Sequence, residues 1–281
     1  LVSVALILTS RWAAVSCYAV LCSPDVPPVP GFPDCTSGGL ARFTGAIVPD
    51  FAVQAGHARC GARFTQALDT MTTTHPPQST PTTPSSHFDA AARDWDQRPM
   101  SQQLAAVPPL LLAHLPLSPT DQVLDFGAGT GLLATQIAPK VAHVTALDMS
   151  AAMLQVLDEK GVANITTHHG DIFDGLPGRY HAIVSCMALH HVADTAALMR
   201  AFAAALHPGG RIALVDLYAE DGSFHGDNAA KGVQHLGFAP EALQAQAEQA
   251  GLQGIVFTGI LHMQHRNGQS YPLFLMTGHK P

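Results

Sequence analysis

From Asp121 onward, short apolar runs alternate with longer stretches of mixed polarity. Gln122–Phe126 is an apolar, β-capable run that ends at Gly127. Leu132–Ala138 follows as a predicted helix, stopped by Pro139. Val141–Leu147 is a second strand ending at Asp148, and Ser150 is placed to cap a helix running to about Lys160, with Gly161 as its stop. Ile165–His168 and His181–Cys186 read as the third and fourth strands. Asp194 caps a helix from Thr195 to Leu206, which ends at the His207-Pro-Gly-Gly210 turn, and Arg211–Leu217 is the fifth strand. After Pro240 comes a helix with Leu243, Ala247 and Ala250 on one face. Two further apolar runs, Gly254–Met263 and Ser270–Gly278, flank His265-Arg-Asn-Gly268, a hairpin signal.

Apolar runs without alternation mark strands buried on both faces, and helices between them mark parallel crossovers. The predicted fold is therefore α/β: a Rossmann-like doubly wound sheet, mostly parallel, closed by a C-terminal antiparallel hairpin. Ahead of it, Ser101–His114 reads as a covering helix with a break at Pro108-Pro109.

Residues 1–86 differ in kind. They show no sustained period, hold ten of the 21 prolines and four of the five cysteines (Cys17, Cys22, Cys35, Cys60), and have no net charge. Thr72–Ser86 reads as a solvated Thr/Pro/Ser linker. Three readings compete for 1–70: a targeting peptide, a small disulfide domain, or an upstream extension that is largely disordered. The last is preferred, because the first Met is Met71 and all eight Met lie at 71 or later. The expected organisation is an extension with linker over 1–86 and one folded domain over 87–281.

The chain carries a formal net charge of -7, all of it within 87–281. That balance argues against a protein gripping nucleic acid through phosphate contacts. No uncharged apolar run reaches membrane-spanning length. One cysteine in the folded part, Cys186, fits a reducing compartment, so a cytoplasmic location is expected.

The informative loop is Val123-Leu-Asp-Phe-Gly-Ala-Gly-Thr-Gly131, where the first strand turns into the first helix. Glycines there let a ligand approach the backbone, and in an open parallel sheet this is the ligand crevice. The dinucleotide spacing G-x-G-x-x-G fails, since Leu132 stands where its third glycine belongs. The spacing found is G-x-G-x-G with Asp125 two residues ahead. A carboxylate there repels a pyrophosphate and suits a cationic amino group.

Asp125-x-Gly127-x-Gly129-x-Gly131 resembles motif I of class I S-adenosylmethionine-dependent methyltransferases, and the resemblance extends over about 87–281. It implies cofactor contacts from Asp125, Gly127, Ala128, Gly129 and Gly131. It also implies that Asp148 binds the ribose hydroxyls with Met149 beside the adenine. Asp171 would accept from the adenine amino group, with Ile172 as an apolar wall. Taken alone, Asp148 also reads as a helix-start carboxylate and Asp171 as a turn former. His87-Phe-Asp-Ala-Ala-Ala-Arg-Asp-Trp-Asp96 is similar to the opening segment of small-molecule methyltransferases of the type 11 group, including those resembling ubiquinone/menaquinone C-methyltransferases. There it folds over the cofactor, and Phe88 and Trp95 are the implied contacts, with ordinary helix packing as the alternative.

Methyl transfer to a small organic acceptor needs positioning above all, and a base only if the acceptor must lose a proton. Ser185-Cys-Met-Ala-Leu-His-His191 follows the fourth strand, where the family has its acceptor cleft. His190 and His191 are the candidate base or orienting groups; the alternative is a hydrogen-bonding pair at a helix start. No proline box of the kind carried by nucleic-acid amino-methylating enzymes occurs there. No metal site is expected: adjacent histidines on a strand point to opposite faces, and Cys186 lacks a C-x-x-C partner. Tyr218–Gly237, with Asp221, His225, Asp227, Lys231 and His235, reads as an acceptor-pocket loop or a solvated connection, and Asp216-Leu-Tyr218 as its lining. Rival readings are a non-catalytic cofactor-binding module acting as a partner subunit, and a nicotinamide-dependent oxidoreductase, which Leu132 opposes. The acceptor, the attacked atom and the oligomeric state are not specified by the sequence.

Overall fold

The computed structural model describes residues 84–281, with side chains from His87 onward. The extension, targeting and disulfide readings of the N-terminal segment lie outside the described residues.

Seven strands form one sheet: β1 (Gln122–Phe126), β2 (His143–Asp148), β3 (Ile165–His169), β4 (Tyr180–Cys186), β5 (Leu206–Leu217), β6 (Gln253–Gln264) and β7 (Ser270–His279). Their order is β3-β2-β1-β4-β5-β7-β6. Strands β1 to β5 pair in parallel, while β7 runs antiparallel to β5 and β6. The expected architecture is the observed one.

Alternation explains the two-sided core. Val123, Val144, Val184 and Val215 enter a cluster shared with the helices α3 (Val107–Leu112) and α4 (Ala134–Ile137). Their neighbours Leu124, Leu147, Ile183 and Leu214 enter the opposite cluster, against Leu198 and Phe202 of α6 (Thr195–Ala205) and Leu243 of α7 (Pro240–Gln249). Each of these four strands, β1, β2, β4 and β5, thus feeds two cores.

Caps set the helix bounds. The Ser150 hydroxyl accepts from Met153 N–H at the start of α5 (Ala151–Glu159), and Asp194 accepts from Ala197 N–H at the start of α6. Each such cap stabilises a helix by about 1 kcal/mol.

Several boundaries depart from the sequence expectation, β2 for one beginning at His143 and not at Val141. α4 covers only Ala134–Ile137, and Pro139 sits in a following 3-10 turn, Ala138–Lys140. The covering helix is split into α2 (Pro99–Leu104) and α3, so the break precedes the proline pair, which occupies the first turn of α3, where a missing N–H costs nothing. Strand β5 begins at Leu206, and the Pro-Gly-Gly turn becomes an irregularity in its pairing with β4. At the front, α1 (Pro84–Ala91) begins inside the Thr/Pro/Ser tract and passes into a 3-10 turn, Ala92–Gln97.

Candidate functional site

Strand order reverses between β1 and β4, so the loops after these two strands diverge and open a crevice at their carboxyl ends. The glycine loop leaves β1 there. Gly127 and Ala128 N–H groups both donate to Leu147 O, at 2.9 and 3.0 Å, which holds the loop against β2. Gly127 has φ +67, and a Cβ on it would stand 2.3 Å from Ala188 Cβ. The loop therefore rests directly on the segment that carries His190 and His191. Gly129, at φ +54, faces open space with no atom within 4 Å of a built Cβ.

The carboxylates sit at strand ends as expected, in different surroundings. Asp125 is buried and accepts from Ala134 N–H at 2.9 Å. Burial raises its carboxyl to about 8, with nearby Asp148 adding to the effect against the Ala134 donor. Asp148 accepts from Gly129 N–H and Ser150 N–H, each at 2.8 Å, tying the glycine loop to the start of α5. Its carboxyl is also raised by burial, and these amide donors work the other way. Gly170 N–H donates to Asp148 O at 3.1 Å, so the end of β3 lies beside the end of β2. Asp171 follows at once and caps the 3-10 turn 172–174 by accepting from Phe173 N–H at 3.0 Å.

The apolar candidates separate. Met149 is 60 % exposed, whereas Ile172 is buried in the core with Leu124 and Leu147. Its neighbour Phe173, which the sequence analysis did not single out, is half exposed.

The N-terminal segment lies over this crevice. Phe88 meets Trp95 edge-on at 5.7 Å between centroids and meets His191 at 5.2 Å. Arg98 sits 5.2 Å from the Trp95 ring centroid. The polar latches are the aspartates that follow the two aromatics. Asp89 accepts from the Ser150 hydroxyl at 2.6 Å, and Asp96 accepts from the Thr130 hydroxyl at 2.5 Å and pairs with Lys160 at 2.9 Å. Lys160 also donates to Thr130 O at 2.7 Å, and Arg93 pairs with Glu159 on α5. The sequence expectation named the aromatics and not Asp89 or Asp96, although each aspartate directly follows one of them.

The two histidines lie in a 3-10 turn, Leu189–His191, rather than on a strand. The opposite-faces argument therefore does not apply to them. His190 is buried, and its Nδ1 donates to Asp216 Oδ1 at 2.7 Å. Its Nε2 is 3.0 Å from Nε2 of His225, which comes from the loop after β5. His191 Nδ1 donates to Gly232 O at 3.2 Å. Burial, then His190 beside it, holds His191 down to about 4, and burial with His190 and His191 holds His225 down to about 3. At neutral pH both rings are uncharged and weakly basic, with nitrogen lone pairs available to a hydrogen-bond donor or a metal cation. Burial pushes the Cys186 thiol up, which leaves it un-ionised and a poor nucleophile.

A cavity of about 930 Å³ opens nearby, lined by Trp95, Leu104, Pro108, Leu112, Thr130 and Lys140 among others. It borders the outer side of the glycine loop and contains none of Asp148, Asp171 or His190. The candidate carboxylates and histidines gather at the strand-end crevice and not in this cavity.

The family model described as a methyltransferase domain matches residues 95–256, more than half of the chain. An uncharacterized methyltransferase of Mycobacterium tuberculosis is 39% identical over 109 residues, covering 38% of this chain and 55% of the relative. The match thus spans about half the length of that protein. A ubiquinone biosynthesis O-methyltransferase of Xanthomonas axonopodis is 30% identical over 197 residues, covering 63% of this chain and 82% of the relative. Among solved structures, a complex of the Haloferax volcanii Trm112 methyltransferase activator with a putative methyltransferase matches with TM-score 0.57 at 21% identity, covering 69% of this chain and 97% of that one. A Haemonchus contortus phosphoethanolamine N-methyltransferase bound to S-adenosyl-L-methionine matches with TM-score 0.55 at 18% identity, covering 71% of this chain and 57% of that one. At these identities the structures speak for the fold.

Proposed function

The chain belongs to the methyltransferase domain family, and from that premise we propose that it moves the methyl group of S-adenosylmethionine to a small organic acceptor. The observation that carries the site assignment is the bond from Gly129 N–H to Asp148, which brings the glycine loop and the β2 carboxylate together at the reversal of strand order. In this reading the methionine part of the cofactor lies on the loop at Gly127, Ala128, Gly129 and Gly131, with Asp125 buried behind it. The Asp148 carboxylate, which keeps lone pairs beyond its two amide bonds, accepts from the ribose hydroxyls. Met149 and Phe173 flank the adenine, and Asp171 accepts from its amino group. Ile172 supports this wall from the core instead of facing the ligand. Phe88 and Trp95 close the segment 84–97 over the cofactor and exclude water.

Displacement at the sulfonium needs the acceptor atom held in line with the methyl group. His190 and His191 border the acceptor side, under Phe88. His191, uncharged at neutral pH and at about 4 too weak a base to strip a proton from a hydroxyl, is suited to orient the acceptor by hydrogen bonding. His190, clamped by buried Asp216, positions it. Relatives named O-methyltransferases put oxygen acceptors first in a screen.

The test is calorimetric titration of the full chain with S-adenosylmethionine and S-adenosylhomocysteine, beside Asp148→Asn. Asn keeps an acceptor for the loop amides but loses the charge and half of the carboxylate's acceptor capacity. Binding weakened ten-fold or more in the variant supports the assignment. Equal binding removes Asp148 from the site, and no binding by the folded parent chain overturns the reading.

A further inference from the structure

We propose that His190, His191 and His225 form a binding site for one divalent transition-metal cation of borderline softness, with Zn²⁺ as the fitting case. The three residues offer ligand nitrogens that all lie within 4.8 Å of one another. A tetrahedral Zn²⁺ with bonds of about 2.0–2.1 Å sets its nitrogens about 3.3 Å apart. The His190 and His225 Nε2 atoms are 3.0 Å apart. The widest separation exceeds the requirement by at most roughly 1.5 Å, a distance that a side-chain rotation spans.

The second observation is what stands behind the ligands. A metal-bound imidazole nearly always donates its other N–H to a carboxylate or a backbone carbonyl, which fixes its tautomer and aim. Two of the three rings do so here. His190 Nδ1 donates to Asp216 at 2.7 Å, and His191 Nδ1 to Gly232 O at 3.2 Å. The first bond leaves His190 Nε2 facing Nε2 of His225. Asp216 is fully buried at the end of β5, so a negative charge sits directly behind the ring best placed to hold a cation. Against it stands Lys231, whose ammonium donates to the His225 carbonyl oxygen. Without an ion, His225 Nε2–H links the two rings by donating to His190 Nε2; the ion takes its place as the His225 proton moves to Nδ1, and both rings stay neutral.

Zinc is favoured by three neutral imidazoles without thiolate or oxygen ligands. Three protein ligands leave a fourth position open, the pattern of catalytic rather than structural zinc. An acceptor oxygen is the natural occupant; that clause rests on the methyl-transfer reading, whereas the metal site does not. In the metal-bound state His191 serves as a ligand.

The experiment uses the full chain, stripped with a chelator and dialysed. Zn²⁺ is titrated by calorimetry, metal content is read by mass spectrometry, and Co²⁺ is added as a spectroscopic probe. The expected result is one Zn²⁺ per chain, visible absorption of tetrahedral intensity with Co²⁺, and affinity at least 100-fold weaker in His225→Ala. Asp216→Asn should weaken it 10- to 100-fold. His168→Ala, a histidine outside the cluster, should leave affinity unchanged. His225→Gln, with unfolding followed in parallel, covers the case in which the alanine variant does not fold. Sub-stoichiometric binding, octahedral Co²⁺ spectra, or equal affinity in the folded His225 variants would overturn the proposal. S-adenosylmethionine titration of the metal-free chain is read separately, so loss of one activity is distinguishable from loss of the other.

Discussion

Replacing Gly127 by Ala should cost far more than replacing Gly129 by Ala, although both glycines belong to one motif and both have positive φ, +67 and +54. Both variants incur left-handed backbone strain, about 1–2 kcal/mol for an L residue. Only the first meets an obstacle. Its Cβ would lie 2.3 Å from Ala188 Cβ, whereas carbon atoms settle at about 3.5–4.0 Å. The 187–191 segment must retreat by more than about 1 Å, and overpacking of that kind costs about 1–3 kcal/mol. Gly127→Ala should therefore destabilise by about 2–5 kcal/mol, and Gly129→Ala by about 1–2 kcal/mol. Urea unfolding of both variants, with Ala188→Gly and the Gly127→Ala/Ala188→Gly double variant, gives a thermodynamic cycle. The cycle should return a favourable coupling of about 1–3 kcal/mol, because removing the Ala188 methyl relieves the clash but leaves the backbone strain. Equal costs for the two glycines, or a coupling near zero, would falsify the claim that the glycine loop and the histidine segment are in hard contact.

Three further outcomes are expected. Asp125→Asn should flatten the pH dependence of stability: with its folded pKa raised to about 8, wild-type Asp125 contributes stability that is complete below about pH 4 and lost as pH rises through 8, a slope of about 1.4 kcal/mol per pH unit, so the variant's relative stability should climb across that window in urea titrations. Lys280→Met should lower stability by about 1–2 kcal/mol, since its ammonium donates to Ala203 O and Leu206 O at the end of α6, at 2.7 and 2.9 Å; an unchanged denaturation midpoint would refute this. Asp96→Ala should speed amide hydrogen exchange within 88–97 while global stability falls by no more than about 1–2 kcal/mol; protection that stays as in the parent would mean that Thr130 and Lys160 are not what hold the segment down.

The central strands β1, β2, β4 and β5 were legible because each carries a short apolar run buried on both faces, whereas β3 and β6 at the sheet edges are more exposed. The helices that begin at Ser150 and Asp194 were legible because a side-chain cap marks the first turn. The motif carboxylates were legible for a similar reason: Asp125, Asp148 and Asp171 occupy fixed places relative to strand ends. What escaped depended on tertiary contact. Ile172 is indistinguishable from Phe173 as a ligand wall until the turn 172–174 sends one into the core and the other outward. No spacing in the chain announces that His225 will meet His190, because 35 residues separate them and an irregular loop carries the second. The His190–Asp216 pair was hidden likewise, joining the ends of two strands that are neighbours only in the folded sheet.

The position of β6 has a kinetic consequence. Among the described residues its one partner in the sheet is β7, which itself lies between β6 and β5. β6 therefore has no template until β7 exists, and β7 completes the central strands only by arriving from the far side of the sequence. The hairpin is local and closes on a scale of about 1–10 μs, while docking β7 on β5 closes a loop from Leu217 to Leu273. The economical route is a preformed β6–β7 ribbon that adds to a parallel sheet already standing. Stopped-flow folding should then show mutations at the Asn267-Gly268 turn slowing the final step, with the earlier assembly of β1, β2 and β4 untouched.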